Sequence, residues 1–149
     1  MPIHCQIVTQ DKLLFEGPVD IVVAPGTEGE MGILPNHTPL LTTLDFGVLR
    51  IRYQDEEQAF AIAGGFLEVR PDVVTVLADV GELVDEIDEE RARAARERAE
   101  ELLQKEAPQD TDEYLAIEAS LRRSKLRLDA TRRYGRIRKR PRMVDSGED

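Results

Sequence analysis

"FEGPVDIVVAPGTEGEMGILPNHTPLLTTLDFGVLRI", residues 15–51, strings together short runs rich in Val, Ile and Leu, separated by Gly17-Pro18, Pro25-Gly26 and a proline-flanked His37. Runs of this length and composition read as strands rather than helices. The same texture extends outward on both sides. "CQIVT" and "KLLFE" precede, and "AFAIAGG", "FLEVR" and "VVTVLAD" follow, with further breaks at Gly64-Gly65 and Pro71-Asp72. Closely spaced breaks between strands of 4 to 7 residues predict a small all-β sandwich or barrel up to about residue 86. Within "VLRIRY", alternation puts Leu49, Ile51 and Tyr53 on one face and Arg50 and Arg52 on the other, so that strand has a wet side.

His37 invites a catalytic or metal-binding reading. Hydrolysis would need a nucleophile or second base, and a metal would need several ligands. Only His4, Cys5 and scattered acids are on offer, without ligand spacing. His37 is therefore expected to shape a turn or interface between the φ-restricting Pro35 and Pro39. Gly26, Gly29 and Gly32 could suggest a phosphate loop, yet no Lys-Ser/Thr pair follows. Turn geometry explains them better.

Beyond residue 87 the composition changes. Residues 88–106 are almost wholly Ala, Glu, Arg, Leu, Gln and Lys, all good helix formers. Asp88 is placed to cap this helix, with Glu89 and Glu90 in its first turn. "APQDTD" breaks the chain and offers Thr111 or Asp112 as the next cap, and a second helix is expected to about Arg138. Tyr114, Ile117, Leu121, Ser124, Leu128 and Thr131 form a thin stripe that can face Ala92, Ala95, Ala99 and Leu102 or Leu103 in an antiparallel hairpin. The expected fold class is thus α+β, with a sandwich or barrel over 1–86, a helical hairpin over 87–140 and a tail over 141–149.

The chain has 149 residues, 41% hydrophobic and 34% charged, which suits one domain plus an appendage. The net charge of -10 is unevenly spread: residues 122–142 hold eleven Lys/Arg against Asp129, a local +10, leaving -20 elsewhere. An acidic body argues against a nucleic-acid binder, and the basic arm lacks aromatics beyond Tyr134. The competing reading is nevertheless a nucleic-acid-binding module built on that arm. A single cysteine, Cys5, fits a reducing compartment and small-apolar packing. The N-terminus lacks the basic and apolar regions of a signal peptide, and no apolar run approaches the roughly 20 residues of a membrane helix.

Three segments together resemble the epsilon subunit of bacterial F-type ATP synthases: residues 15–51, "AIAGGFLEV", and "VTVLADVGELVDEIDEERARAARERAEELL". The resemblance implies a non-catalytic central-stalk subunit, peripheral on the cytoplasmic face of the cell membrane and attached only through the complex. Its implied partners are the gamma subunit, the c-ring and the alpha/beta catalytic subunits, with no nucleic acid. It further implies a mobile hairpin that restrains ATP hydrolysis, and no required cofactor.

"IDEERA", residues 87–92, also resembles the motif by which some epsilon subunits bind ATP without hydrolysing it. Asp88, Arg91, Ala95 and Arg98 share a helix face. The resemblance implies ATP as a regulatory ligand between hairpin and sandwich, with Glu82 as the preceding acid and Arg123 and Arg127 as the second-helix pair. Ile87 and Ala92 would give apolar contact. A plain helix start with solvated arginines accounts for the same residue types.

Overall fold

The computed structural model describes residues 1–105 and 111–135. The expected tail over 141–149 and the end of the second helix beyond Gly135 lie outside the described residues. Two compact units divide the chain, Met1–Leu83 and the part from Val84 onward.

The first unit contains eight strands: β1 (Ile3–Val8), β2 (Leu13–Val19), β3 (Ile21–Gly26), β4 (Gly29–Ile33), β5 (Leu40–Tyr53), β6 (Glu56–Val69), β7 (Val73–Ala78) and β8 (Gly81–Leu83). They hydrogen-bond in the order β2-β1-β7-β6-β5-β3-β4, with β8 on β6, and fold into a sandwich. The first strand runs parallel to β7, and the remaining pairs are antiparallel. Alternation along the strands sends Ile3, Cys5, Ile7, Leu49, Ile51, Leu67, Val69, Val74 and Val76 into one core. Phe60 is fully buried there, edge-on to Phe15 with ring centroids 6.4 Å apart. Arg50 lies on the wet side as expected, 3.6 Å from both Glu30 and Glu57.

Strand length departs from expectation. β5 and β6 have 14 residues each, twice the predicted maximum. "AFAIAGG" and "FLEVR" are one strand, because Gly64 (φ 88°) and Gly65 (φ 135°) kink the ladder without losing register. Leu44 still faces Gly65, and Phe46 faces Ala63. Gly65 is held there by close approach: a Cβ would run into the Leu77 carbonyl oxygen and stand 2.9 Å from the Ala78 Cα. Gly17-Pro18 and Pro25-Gly26 likewise fall inside strands. Pro18 is tolerated because β2 is an edge strand.

The second unit opens with a 3-10 turn (Val84–Glu86), followed by α1 (Glu89–Lys105), α2 (Thr111–Ala130) and a π-helical turn (Thr131–Gly135). The two helices pack on each other. Five intervening residues can reach roughly 20 Å, too short to return along a helix of about 25 Å, so the pair is antiparallel. The seam is made mostly of small groups: Ala92, Ala99 and Ser124 are buried, together with Leu128. Of the expected pair Leu102 or Leu103, Leu103 takes the inward position and Leu102 is exposed; one expected member differs, because Tyr114 is exposed. Thr111 already begins α2, so neither it nor Asp112 is the cap.

Candidate functional site

On the sandwich, register aligns apolar side chains that lie far apart in sequence. Leu13 pairs with Val8, Val8 with Leu77, and Leu77 with Phe66, so the four stand in one row across β2, β1, β7 and β6. Directly paired residues project to the same face. Their neighbours in each strand turn inward: Ile7, Val76, Ala78 and Leu67 are buried. The row faces out, with Leu13 at 52% exposure, Phe66 and Leu77 each at 50%, and Leu41 on the adjoining β5 at 70%. A cleft of about 430 Å³ opens beside it, walled by Val8, Phe66 and Leu77 and rimmed by Thr9, Gln10 and Asp79. A clustered apolar strip with a polar rim marks an interaction surface. Sequence reading missed this row because it depends on long-range register; only the outward phase of Leu77 in "VVTVLAD" hinted at it.

His37 sits in the turn predicted for it. Its backbone N–H donates to the Leu34 carbonyl at 3.2 Å, and Nδ1 lies 2.7 Å from the Thr38 carbonyl oxygen. Asn36 takes φ 65°, and its N–H reaches the Pro71 carbonyl at 3.0 Å. No group of three or more metal-capable side chains occurs among the described residues. The glycine run is strand-turn-strand, with Gly26 paired to Gly29 across a two-residue turn. Cys5 is fully buried, and burial pushes its thiol from 9.0 to about 12.

In the second unit, Asp88 caps α1: its Oδ1 accepts the Arg91 N–H at 3.1 Å, and its carbonyl accepts the Ala92 N–H at 3.0 Å. Ile87 is half-buried, its N–H bonded to the Val84 carbonyl at 3.1 Å. Arg91 and Arg98 are exposed on one face of α1, Ala95 is half-buried, and Ala92 is buried in the seam. Arg123 and Arg127 are half-buried on α2. Seven of the eight predicted nucleotide residues thus belong to the hairpin unit, and Glu82 stands on β8 of the sandwich, paired with Ala61. The structure links Asp88 to Arg91 through the Arg91 backbone, not through its guanidinium. Arg96, passed over in the sequence, lies four residues from Ala92 toward the packed face; its Nε is buried with no hydrogen-bond partner among the described residues. Its spacing from Ala92 was the available signal. None of the described helices is long and apolar enough to cross a membrane.

Residues 2–84 match the family model "ATP synthase, Delta/Epsilon chain, beta-sandwich domain", and residues 85–132 match "ATP synthase, Delta/Epsilon chain, long alpha-helix domain". The ATP synthase epsilon chain of Halalkalibacterium halodurans is 47% identical over 131 residues, covering 88% of this chain and 98% of that one. That of Herpetosiphon aurantiacus is 44% identical over 132 residues, covering 89% and 96%. A chain in the Euglena gracilis mitochondrial ATP synthase (OSCP/F1/c-ring) aligns with a TM-score of 0.73 and 28% identity, covering 87% of this chain and 81% of that one. A chain of the Tetrahymena thermophila mitochondrial ATP synthase central stalk and c-ring shares the fold, with a TM-score of 0.55 at 19% identity over 88% and 97% of the two chains. Both halves of the architecture, in this order, match that one family over nearly all the described residues: the chain belongs to the epsilon-chain family of F-type ATP synthases.

Proposed function

We propose that this chain is a non-catalytic rotor subunit that seats on the central stalk through its sandwich and restrains ATP hydrolysis through its hairpin. The observation that carries the reading is the uncovered apolar row Leu13–Val8–Leu77–Phe66, a surface fit for a protein partner. In this reading the gamma subunit and c-ring are its partners, and the chain is peripheral on the cytoplasmic face of the membrane through the complex. The hairpin supports the regulatory half. Its seam is built mainly from small side chains, with Leu128 the large apolar group buried there, which suits an element that opens at modest cost.

ATP is the regulatory ligand of this reading, engaging the hairpin through Arg91, Arg98, Arg123 and Arg127, with Asp88, Ile87 and Ala92 at the head of α1. Arginine forks suit phosphate oxygens. A ligand that prefers the closed hairpin raises its population by no more than its differential affinity. Glu82 enters as a separate variant. Two measurements test the proposal. Removing residues 88–149 raises ATP hydrolysis by the assembled enzyme while assembly persists; unchanged hydrolysis refutes the restraining role. Titration calorimetry with MgATP on the full chain gives heat that Arg123→Ala and Arg127→Ala abolish; no heat at millimolar nucleotide removes the ligand.

A further inference from the structure

The helical unit buries two hydroxyls seven residues apart, Ser124 and Thr131. Seven residues make close to two α-helical turns, so in an unbroken helix both would stand on one face in equivalent settings. Their settings differ. Ser124 lies in α2, and its hydroxyl donates to the Ser120 carbonyl oxygen at 3.0 Å, the usual i−4 solution for a helical serine. Thr131 opens the π-helical turn, and its Oγ1 is buried with no hydrogen-bond partner among the described residues. The i−4 carbonyl that a helical threonine hydroxyl would use is that of Arg127, inside α2, and the Thr131 hydroxyl does not bond to it. On the other side of this turn, within the same unit, is the 3-10 turn Val84–Glu86. Val84 and Gly135 are both buried there.

We propose that the π-helical turn Thr131–Gly135, with the unpaired Thr131 hydroxyl inside it, is a release latch that makes this end of the hairpin, against Val84–Glu86, open first. A buried hydroxyl without a partner penalises only the closed state, because opening returns it to water. Ser124 carries no such penalty, so of these two hydroxyls only the one at the end of the hairpin undercuts the closed state. The latch rests on the hairpin's proposed motion for its use, but its local energetics are independent of the restraint on hydrolysis.

Amide hydrogen exchange on the full chain tests it without the assembled enzyme, so the latch and the restraining role fail separately. In the unaltered protein, amides of Thr131–Gly135 and Val84–Glu86 exchange faster than those around Ala92, Ala99 and Ser124; the reverse order overturns the proposal. Thr131→Val keeps the side-chain shape and removes the hydroxyl, and it raises protection of those two turns about tenfold. Ser124→Ala, which removes a satisfied hydroxyl, gives no such rise. Protection in Thr131→Val that is unchanged, lowered, or matched by Ser124→Ala overturns the latch. The wild-type exchange order decides the matter if Thr131→Val does not fold.

Discussion

The Arg91 backbone N–H is bound at 3.1 Å by the side chain of Asp88, which ties the first turn of α1 to the residue ahead of it. Removing that acceptor in Asp88→Ala costs about 1 kcal/mol of hairpin stability, whereas Asn caps as well as Asp and Asp88→Asn holds within a few tenths. Helix content by circular dichroism and exchange of the Arg91 amide check this. Since Asp88→Asn keeps the cap and loses the charge, a fall in MgATP affinity in Asp88→Asn separates ligand binding from capping.

Leu77 and Phe66 pack against solvent on one side only, so Leu77→Ser and Phe66→Ser should leave the sandwich's unfolding midpoint nearly unchanged, within about 0.5 kcal/mol. The proposed association with the gamma subunit and c-ring should weaken by at least tenfold, as truncating a central apolar anchor does. Pull-down of the assembled stalk reads the second effect, and urea denaturation reads the first. Weakened association with a collapsed midpoint would mean misfolding instead.

Two glycines with positive φ separate space from backbone conformation. Gly65→Ala meets the Leu77 carbonyl and the Ala78 backbone as well as an unfavourable φ, and should cost about 3 kcal/mol or more. Gly29→Ala at φ 128° meets nothing within 4 Å and should cost about 1 kcal/mol. Denaturation midpoints of the two variants should therefore differ clearly.

Cys5 contributes a pH dependence of definite sign. Its folded-state thiol is raised from 9.0 to about 12, so the unfolded chain releases the proton first as pH rises. The protein's stability is unaffected by this group below pH 9.0 and falls through the interval up to about 12, by about 1.4 kcal/mol per pH unit at most. Cys5→Ala flattens that part of the profile, isolating it from lysine and tyrosine titration. The native thiol should also resist alkylation at pH 8 until the sandwich unfolds.

Local chemistry was legible in the sequence and long-range placement was not. Asp88 reads as a cap because capping involves residues three apart, and Leu49, Ile51, Arg50 and Arg52 divide between faces because alternation is local. The kink at Gly64-Gly65 reads as a break because a glycine pair looks the same in a turn and in a bent strand; the pairing of Ala63 with Phe46 and of Gly65 with Leu44 decides between them. The Leu13–Val8–Leu77–Phe66 row needs three separate registers before it exists. The π-helical turn has no sequence mark in "ATRRYG". Among the nucleotide candidates, spacing places Arg91 and Arg98 on one face, whereas the station of Glu82 on β8 follows only from its pairing with Ala61.

The full-length pairing of β5 with β6 has a mechanical consequence. From Leu40 opposite Val69 to Tyr53 opposite Glu56, the two strands form a ribbon roughly 45 Å long at about 3.3 Å per residue. A load applied at one tip reaches the other along covalent chain and transverse hydrogen bonds, without passing through side-chain packing. Such a beam is stiff in tension and has one compliant joint, where Asp45 lies opposite Gly64 and the ladder is interrupted. A torque on the sandwich is therefore expected to flex the molecule at that joint before it shears the core.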